Sequence, residues 1–165
     1  MNKAIFLDRD GVMIEDLHYN CNIDKIYIKK EILPMLKFLQ NQYKLIVITN
    51  QSGVARGKFL LKDVETFNKY MIEKFAKHGV YINDVFVCPH LVDGQVKEYS
   101  FDCNCRKPNI GLILEAKKKH NLDLSQSYMV GDKESDVLCG INAKLKNSFN
   151  INNISFDEIL HKIKD

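Results

Sequence analysis

Short apolar runs alternate along the chain with longer stretches whose apolar positions recur at helical spacing. The first run is Ala4 to Leu7. From Glu31 to Gln42, the apolar residues Ile32, Leu33, Met35, Leu36 and Leu39 predict a helix. Lys44 to Thr49 reads KLIVIT, a β-branched run that predicts a strand buried on both faces. Leu61 to His78 predicts a second helix, with Val64, Phe67, Met71 and Phe75 on one face and Gly79 just past its end. Asp84 to Cys88 predicts another strand, and an irregular stretch follows from Pro89 to Arg106. Pro108 is placed at the start of a helix running to about His120. Ser127 to Val130 predicts a strand, Glu134 to about Cys139 a short helix, Lys144 to Ser148 a weak strand, and Phe156 to Ile163 a final helix. This alternation implies an α/β fold of three layers, with a central parallel sheet covered by helices on both faces.

A chain of 165 residues with no internal repeat and no linker reads as one domain, 1–165. The net charge of +3 is too small to argue for nucleic acid. Lys117, Lys118 and Lys119 fit a solvated helix face. The Ala4–Leu7 run is too short for a signal-peptide core or a membrane span, so a cytoplasmic protein with no membrane partner is expected. Nothing in the sequence demands more than a monomer. Five cysteines fit a disulfide framework poorly, and three of them gather near one histidine, which points to a metal. Cys21 and Cys139 read as packed thiols.

In open parallel sheets, ligands bind beyond the carboxyl ends of the strands. Those positions hold Asp8-Arg9-Asp10-Gly11, Thr49-Asn50-Gln51-Ser52-Gly53 and Gly131-Asp132-Lys133-Glu134-Ser135-Asp136, and Arg106-Lys107-Pro108 precedes the intervening helix. Converging carboxylates repel one another unless a cation joins them, and a hard ion such as Mg2+ suits oxygen donors. The nearby lysines and arginine suit a phosphoryl group, whose charge must be met in the transition state.

In order and spacing, Asp8-Arg9-Asp10-Gly11-Val12, Thr49-Asn50, Lys107, and Gly131-Asp132 with Asp136 resemble the four motifs of the haloacid dehalogenase (HAD) superfamily of phosphatases. Val12 stands where that superfamily commonly has Thr. The resemblance implies that Asp8 is the nucleophile and forms an aspartyl-phosphate. It implies that Asp10 protonates the leaving oxygen and then activates water. Asp8, the backbone carbonyl of Asp10, and Asp132 would hold Mg2+, with Asp136 orienting that set. Thr49 and Lys107 would bind the transferring phosphoryl oxygens.

Cys88-Pro89-His90 and Cys103-Asn104-Cys105 resemble the zinc loop of one subgroup of that superfamily, spanning about 88–106 here. The subgroup holds heptose bisphosphate phosphatases and histidinol-phosphate phosphatases. Three thiolates and an imidazole make a closed, structural kind of Zn2+ site. Ser52-Gly53-Val54-Ala55-Arg56-Gly57 and Tyr128 to Lys133 resemble the heptose branch. That resemblance implies a phosphosugar substrate, D-glycero-D-manno-heptose 1,7-bisphosphate, losing its C7 phosphate in the supply of activated heptose for surface glycans. Asp16, His18 and Tyr19 would then meet the sugar, although His18 replaces the usual glycine. Asn50, Gln51, Ser52, Arg106 and Lys133 complete the expected substrate contacts. The chain has no room for a cap domain. The alternatives are a histidinol-phosphate phosphatase with the same chemistry, or a non-catalytic zinc-ordered binding module.

Overall fold

The structure is a computed structural model and describes residues 1–165. Its centre is the apolar run first seen in the sequence. Strand β1 (Ala4–Leu7) is fully buried and has a parallel neighbour on each side, β2 (Lys44–Asn50) and β4 (Tyr128–Gly131). Strand β3 (Asp84–Cys88) pairs with β2, and β5 (Asn147–Asn150) with β4, giving the order β3-β2-β1-β4-β5. All pairings are parallel.

Alternate residues of β1 serve the two faces. Ile5 and Leu7 join a core with helices α1 (Leu33–Leu39), α2 (Leu61–Lys77) and α5 (Phe156–Lys164). Ala4 and Phe6 join a second core with α3 (Gly111–His120) and α4 (Glu134–Asn142). Burying each of these large apolar side chains contributes roughly 1.5–3 kcal/mol. The layers are those the alternating pattern predicts.

Several boundaries differ from the sequence reading. The stretch Glu31 to Gln42 opens as a 3-10 turn over Lys30–Ile32, and α1 proper is shorter than expected. Pro108 does not begin a helix. It follows a cis Lys107–Pro108 bond, and α3 starts only at Gly111, whose N–H donates to the Asn104 carbonyl at 2.9 Å. Helix α4 continues beyond Cys139 to Asn142, so β5 is displaced from 144–148 to Asn147–Asn150.

The strand order sets the site. The chain builds outward from β1 to β3 on one side and then crosses to β4 and β5 on the other. The crevice at that reversal lies past the carboxyl ends of β1 and β4, where Asp8 and Asp132 stand.

Candidate active site

Asp8 leaves β1 almost completely buried, and its backbone N–H donates to the Val130 carbonyl of β4 at 3.1 Å. Lys107 meets it from the other side of the crevice. The buried Nζ of Lys107 donates to Asp8 Oδ1 at 2.8 Å and to the Ile48 carbonyl at 2.8 Å, and lies 2.7 Å from Asp136 Oδ1. Burial alone disfavours this ammonium, but the charges of Asp8 and Asp136 outweigh it and hold its pKa above the usual lysine range.

Oxygens of Asp8, Asp132 and Asp136 all lie within 4.8 Å of one another. Burial, and then the charge of Asp8, pushes the Asp132 carboxyl up to about 6. The same two causes raise Asp136, against the pull of Lys107. Asp132 Oδ1 is buried with no hydrogen-bond partner. Three carboxylates against one buried ammonium leave an excess of negative charge, which the charge of Lys133 offsets only in part at Asp132. That excess, the oxygen donors and the orphaned Asp132 oxygen together fit a hard divalent cation. The glycines of these loops are fixed by the same crowding. A Cβ on Gly11, at φ +83°, would overlap the Asp132 carboxylate, and one on Gly131 would overlap Asp136. The Asp136 side chain also turns back to its own loop, where Oδ2 accepts from the backbone N–H groups of Asp132 (3.2 Å) and Lys133 (3.1 Å).

Asp10 stands apart from the acidic trio. Its carboxylate takes Arg9 on both oxygens, at 3.2 and 3.0 Å, and Gln51 Nε2 on Oδ2 at 2.9 Å. Gln51 also donates to Thr49 Oγ1 at 2.8 Å, so the end of β2 is tied to the loop after β1. Asn50 spends its side chain on the Lys107 backbone rather than presenting it freely to a ligand. Its Oδ1 accepts from the Lys107 N–H at 3.0 Å, and its Nδ2 donates to the Lys107 carbonyl at 3.2 Å.

Above this floor lies an open cleft of about 370 Å3. Asp10, Gln51 and Lys107 lie at its base, with Asn50 and Ser52 beside them. Asp16, His18, Tyr19, Arg106 and Lys133 also line it, with His18, Tyr19 and Lys133 exposed. His18 and Tyr19 adopt left-handed backbone, φ 53° and 48°, and the His18 N–H donates to Asp16 Oδ1 at 2.9 Å. Arg106 Nη1 is buried without a partner. Sequence reasoning did not assign Arg56, which also lines the cleft and lies over the Tyr19 ring, 5.6 Å from its centroid. Its position in the Ala-Arg-Gly turn, soon after a strand end, was the available signal.

The loop after β3 gathers Cys88, His90, Cys103 and Cys105, whose ligand atoms lie within 4.8 Å of one another. Cys88 Sγ is 3.6 Å from both His90 Nδ1 and Cys103 Sγ, and Cys105 Sγ is 3.6 Å from Cys103 Sγ. These three spacings match ligands about 2.3 Å from a common tetrahedral ion, whereas Cys105 Sγ lies closer to Cys88 Sγ, at 2.7 Å, and to His90 Nδ1, at 3.2 Å. Contact with Cys105 draws the Cys88 thiol down to about 5 and pushes Cys105 up. The donor set and its crowding fit zinc. The His90 ring packs on Phe101 at 4.4 Å. The loop docks through Gln95 and Val96, whose N–H groups both donate to the Ala55 carbonyl.

A family model described as HAD-hydrolase-like matches residues 104–148. A D-glycero-beta-D-manno-heptose-1,7-bisphosphate 7-phosphatase of Helicobacter pylori (strain ATCC 700392 / 26695) is 43% identical over 149 residues, covering 89% of this chain and 82% of that protein. The chain belongs to the heptose-1,7-bisphosphate 7-phosphatase family of the HAD superfamily. Another relative of this phosphatase family, the alpha-anomer enzyme of Photorhabdus laumondii, is 40% identical over 148 residues, covering 89% of this chain and 81% of its own. Among solved structures, a HAD-like protein of Mesorhizobium loti superposes with TM-score 0.85 at 33% identity, over 90% of this chain and 72% of that one. The D,D-heptose 1,7-bisphosphate phosphatase of B. bronchiseptica, complexed with magnesium and phosphate, superposes with TM-score 0.79 over 98% of both chains at 24% identity, a likeness of fold. The chain thus has the HAD-like α/β fold, with a five-stranded parallel sheet and no cap. No helix of the chain is long and apolar enough to cross a membrane.

Proposed function

We propose that this protein hydrolyses the C7 phosphate of D-glycero-D-manno-heptose 1,7-bisphosphate, releasing heptose 1-phosphate for the synthesis of activated heptose and surface glycans. The observation that carries the reading is the buried Asp8–Lys107 pair at the end of the central strand, whose lysine lines an open cleft together with Arg56, Arg106 and Lys133. Asp8, Asp132 and the backbone carbonyl of Asp10 would hold Mg2+, which when bound neutralises phosphate charge and the excess charge of the acidic trio. Zinc on Cys88, His90, Cys103 and Cys105 would hold the loop that ends in Arg106 and Lys107.

The chemistry divides into two displacements. In the first, an Asp8 carboxylate oxygen bonds to phosphorus, the bond from phosphorus to the C7 oxygen breaks, and that oxygen takes a proton from Asp10. In the second, water gives its proton to Asp10 and bonds to phosphorus. The Asp8–phosphorus bond then breaks and inorganic phosphate leaves. Lys107 and Thr49 meet the phosphoryl oxygens as charge builds on them. Arg106 and Lys133 hold the substrate in the cleft, and Asp16, His18 and Tyr19 face the sugar. The whole chain acts as one domain. None of the five cysteines is paired in a disulfide, which suits action in the reducing cytoplasm.

The test is phosphate release with Mg2+ from both anomers of heptose 1,7-bisphosphate and from histidinol phosphate, with Asp8→Asn as control. Release from a heptose anomer, abolished by the substitution, is expected. Release from histidinol phosphate alone would move the protein to the histidinol-phosphate branch. Release from none would leave a binding module.

A further inference from the structure

Arg9 heads the fully buried side chains of this protein, ranked by volume, with only 1% of its surface exposed. A guanidinium in that position demands partners, and it has them on every side. Nε and Nη2 fork onto the two oxygens of Asp10, Nη1 donates to Asn68 Oδ1 of α2 at 2.9 Å, and the guanidinium carbon lies 4.5 Å from the centre of the Phe67 ring. The Asp10 side chain, by contrast, keeps 24% of its surface and lines the cleft. The buried cation is therefore joined to the fold by α2 and to the cleft only through Asp10.

A carboxylate offers about four acceptor positions. Arg9 takes one on each oxygen of Asp10, and Gln51 takes the second on Oδ2. The remaining position is on Oδ1. We infer that Arg9 is a positioning residue: it is braced by Asn68 and Phe67, locks the Asp10 rotamer, and makes Oδ1 the oxygen that gives and takes the proton. The bidentate fork fixes the plane of the carboxylate as well as its distance, which a lysine could not do. Asn68, a polar residue on the buried face of α2, is explained by this role. This inference rests on the proposed acid–base function of Asp10.

The test compares leaving groups in Arg9→Met, which keeps bulk beside Phe67 and removes the fork. A sugar oxygen needs a proton to depart, whereas p-nitrophenolate does not. For the heptose bisphosphate, kcat is expected to fall about a hundredfold with KM nearly unchanged. With p-nitrophenyl phosphate, the first-turnover burst of nitrophenolate should persist within about threefold, while steady turnover falls because water activation also needs Asp10. Asn68→Ala, remote from the reacting atoms, should show the same pattern at roughly a tenth of the size, and it decides the matter if Arg9→Met does not fold. Equal losses in burst and sugar-phosphate turnover would mean a general structural role and overturn the inference. Undiminished sugar-phosphate turnover in a folded Arg9→Met would do the same. If wild-type protein hydrolyses no heptose bisphosphate, the substrate assignment fails, and the split between burst and steady turnover still tests Arg9.

Discussion

The Asn50 side chain and the Lys107 peptide are paired as two strands would be, with one N–H donated in each direction at 3.2 and 3.0 Å. The end of β2 therefore fixes the backbone from which the buried lysine projects, across a separation of 57 residues. Removing this clamp lets Lys107 shift, and misplacements on the order of 1 Å cost up to about a hundredfold in rate. Asn50→Ala is expected to lower kcat by between ten- and about a hundredfold and to leave KM nearly unchanged. Steady-state kinetics on the heptose bisphosphate checks this. A rise in KM with unchanged kcat would return Asn50 to a substrate-binding role.

Arg106 and Lys107 are neighbours with different surroundings. Arg106 lines the cleft, whereas the Lys107 ammonium is almost fully buried against Asp8 and Asp136. Arg106→Ala should therefore raise KM more than it lowers kcat, and Lys107→Ala should lower kcat by about a hundred- to a thousandfold. Equal effects on both parameters from both changes would refute this division.

The cysteine–histidine cluster gives a prediction about order rather than rate. The purified protein should carry one zinc per chain by elemental analysis. Cys105→Ser should abolish that zinc and open residues 89–106 to limited proteolysis. The melting temperature should fall with it, because a structural zinc contributes folding free energy directly. Activity should fall too, through the displaced Arg106 and Lys107, even with Mg2+ supplied in excess.

Acid sensitivity has a readable source in a partly buried carboxylate far from the site. Burial raises the pKa of Asp84, but hydrogen bonds from Lys119 and His120 outweigh it and hold the carboxyl below its ordinary value of 3.8. A carboxyl depressed in the folded state contributes stability that is present above its unfolded pKa and lost as pH falls through the folded one. The denaturant midpoint of Asp84→Asn should therefore lie below that of the wild type near neutral pH. The gap should close below 3.8. A gap that persists in acid would assign the loss to packing.

The layers, the strands and the polar clusters at their ends were legible in the sequence, because a strand buried on both faces leaves a continuous apolar run that stops where the chemistry begins. Two kinds of feature were not. Boundaries in loops depend on hydrogen bonds that no local pattern records. Pro108 looks like a helix start, but the chain must first complete the turn in which Asn104 holds Gly111. β5, reading Asn-Ser-Phe-Asn, has too little apolar character to announce its ends. The second kind is pairing over distance. Nothing near Arg9 shows that it is buried, since Asn68 lies 59 residues away. Asn50 reads as a free donor until the Lys107 peptide is seen beside it.

Because β1 is paired on both sides and covered on both faces, its amides should exchange with solvent only through global unfolding. Asp8 directly follows that segment, and its N–H is bonded to the Val130 carbonyl of β4. The frame that carries the Asp8 carboxylate should therefore loosen only when the whole domain comes apart.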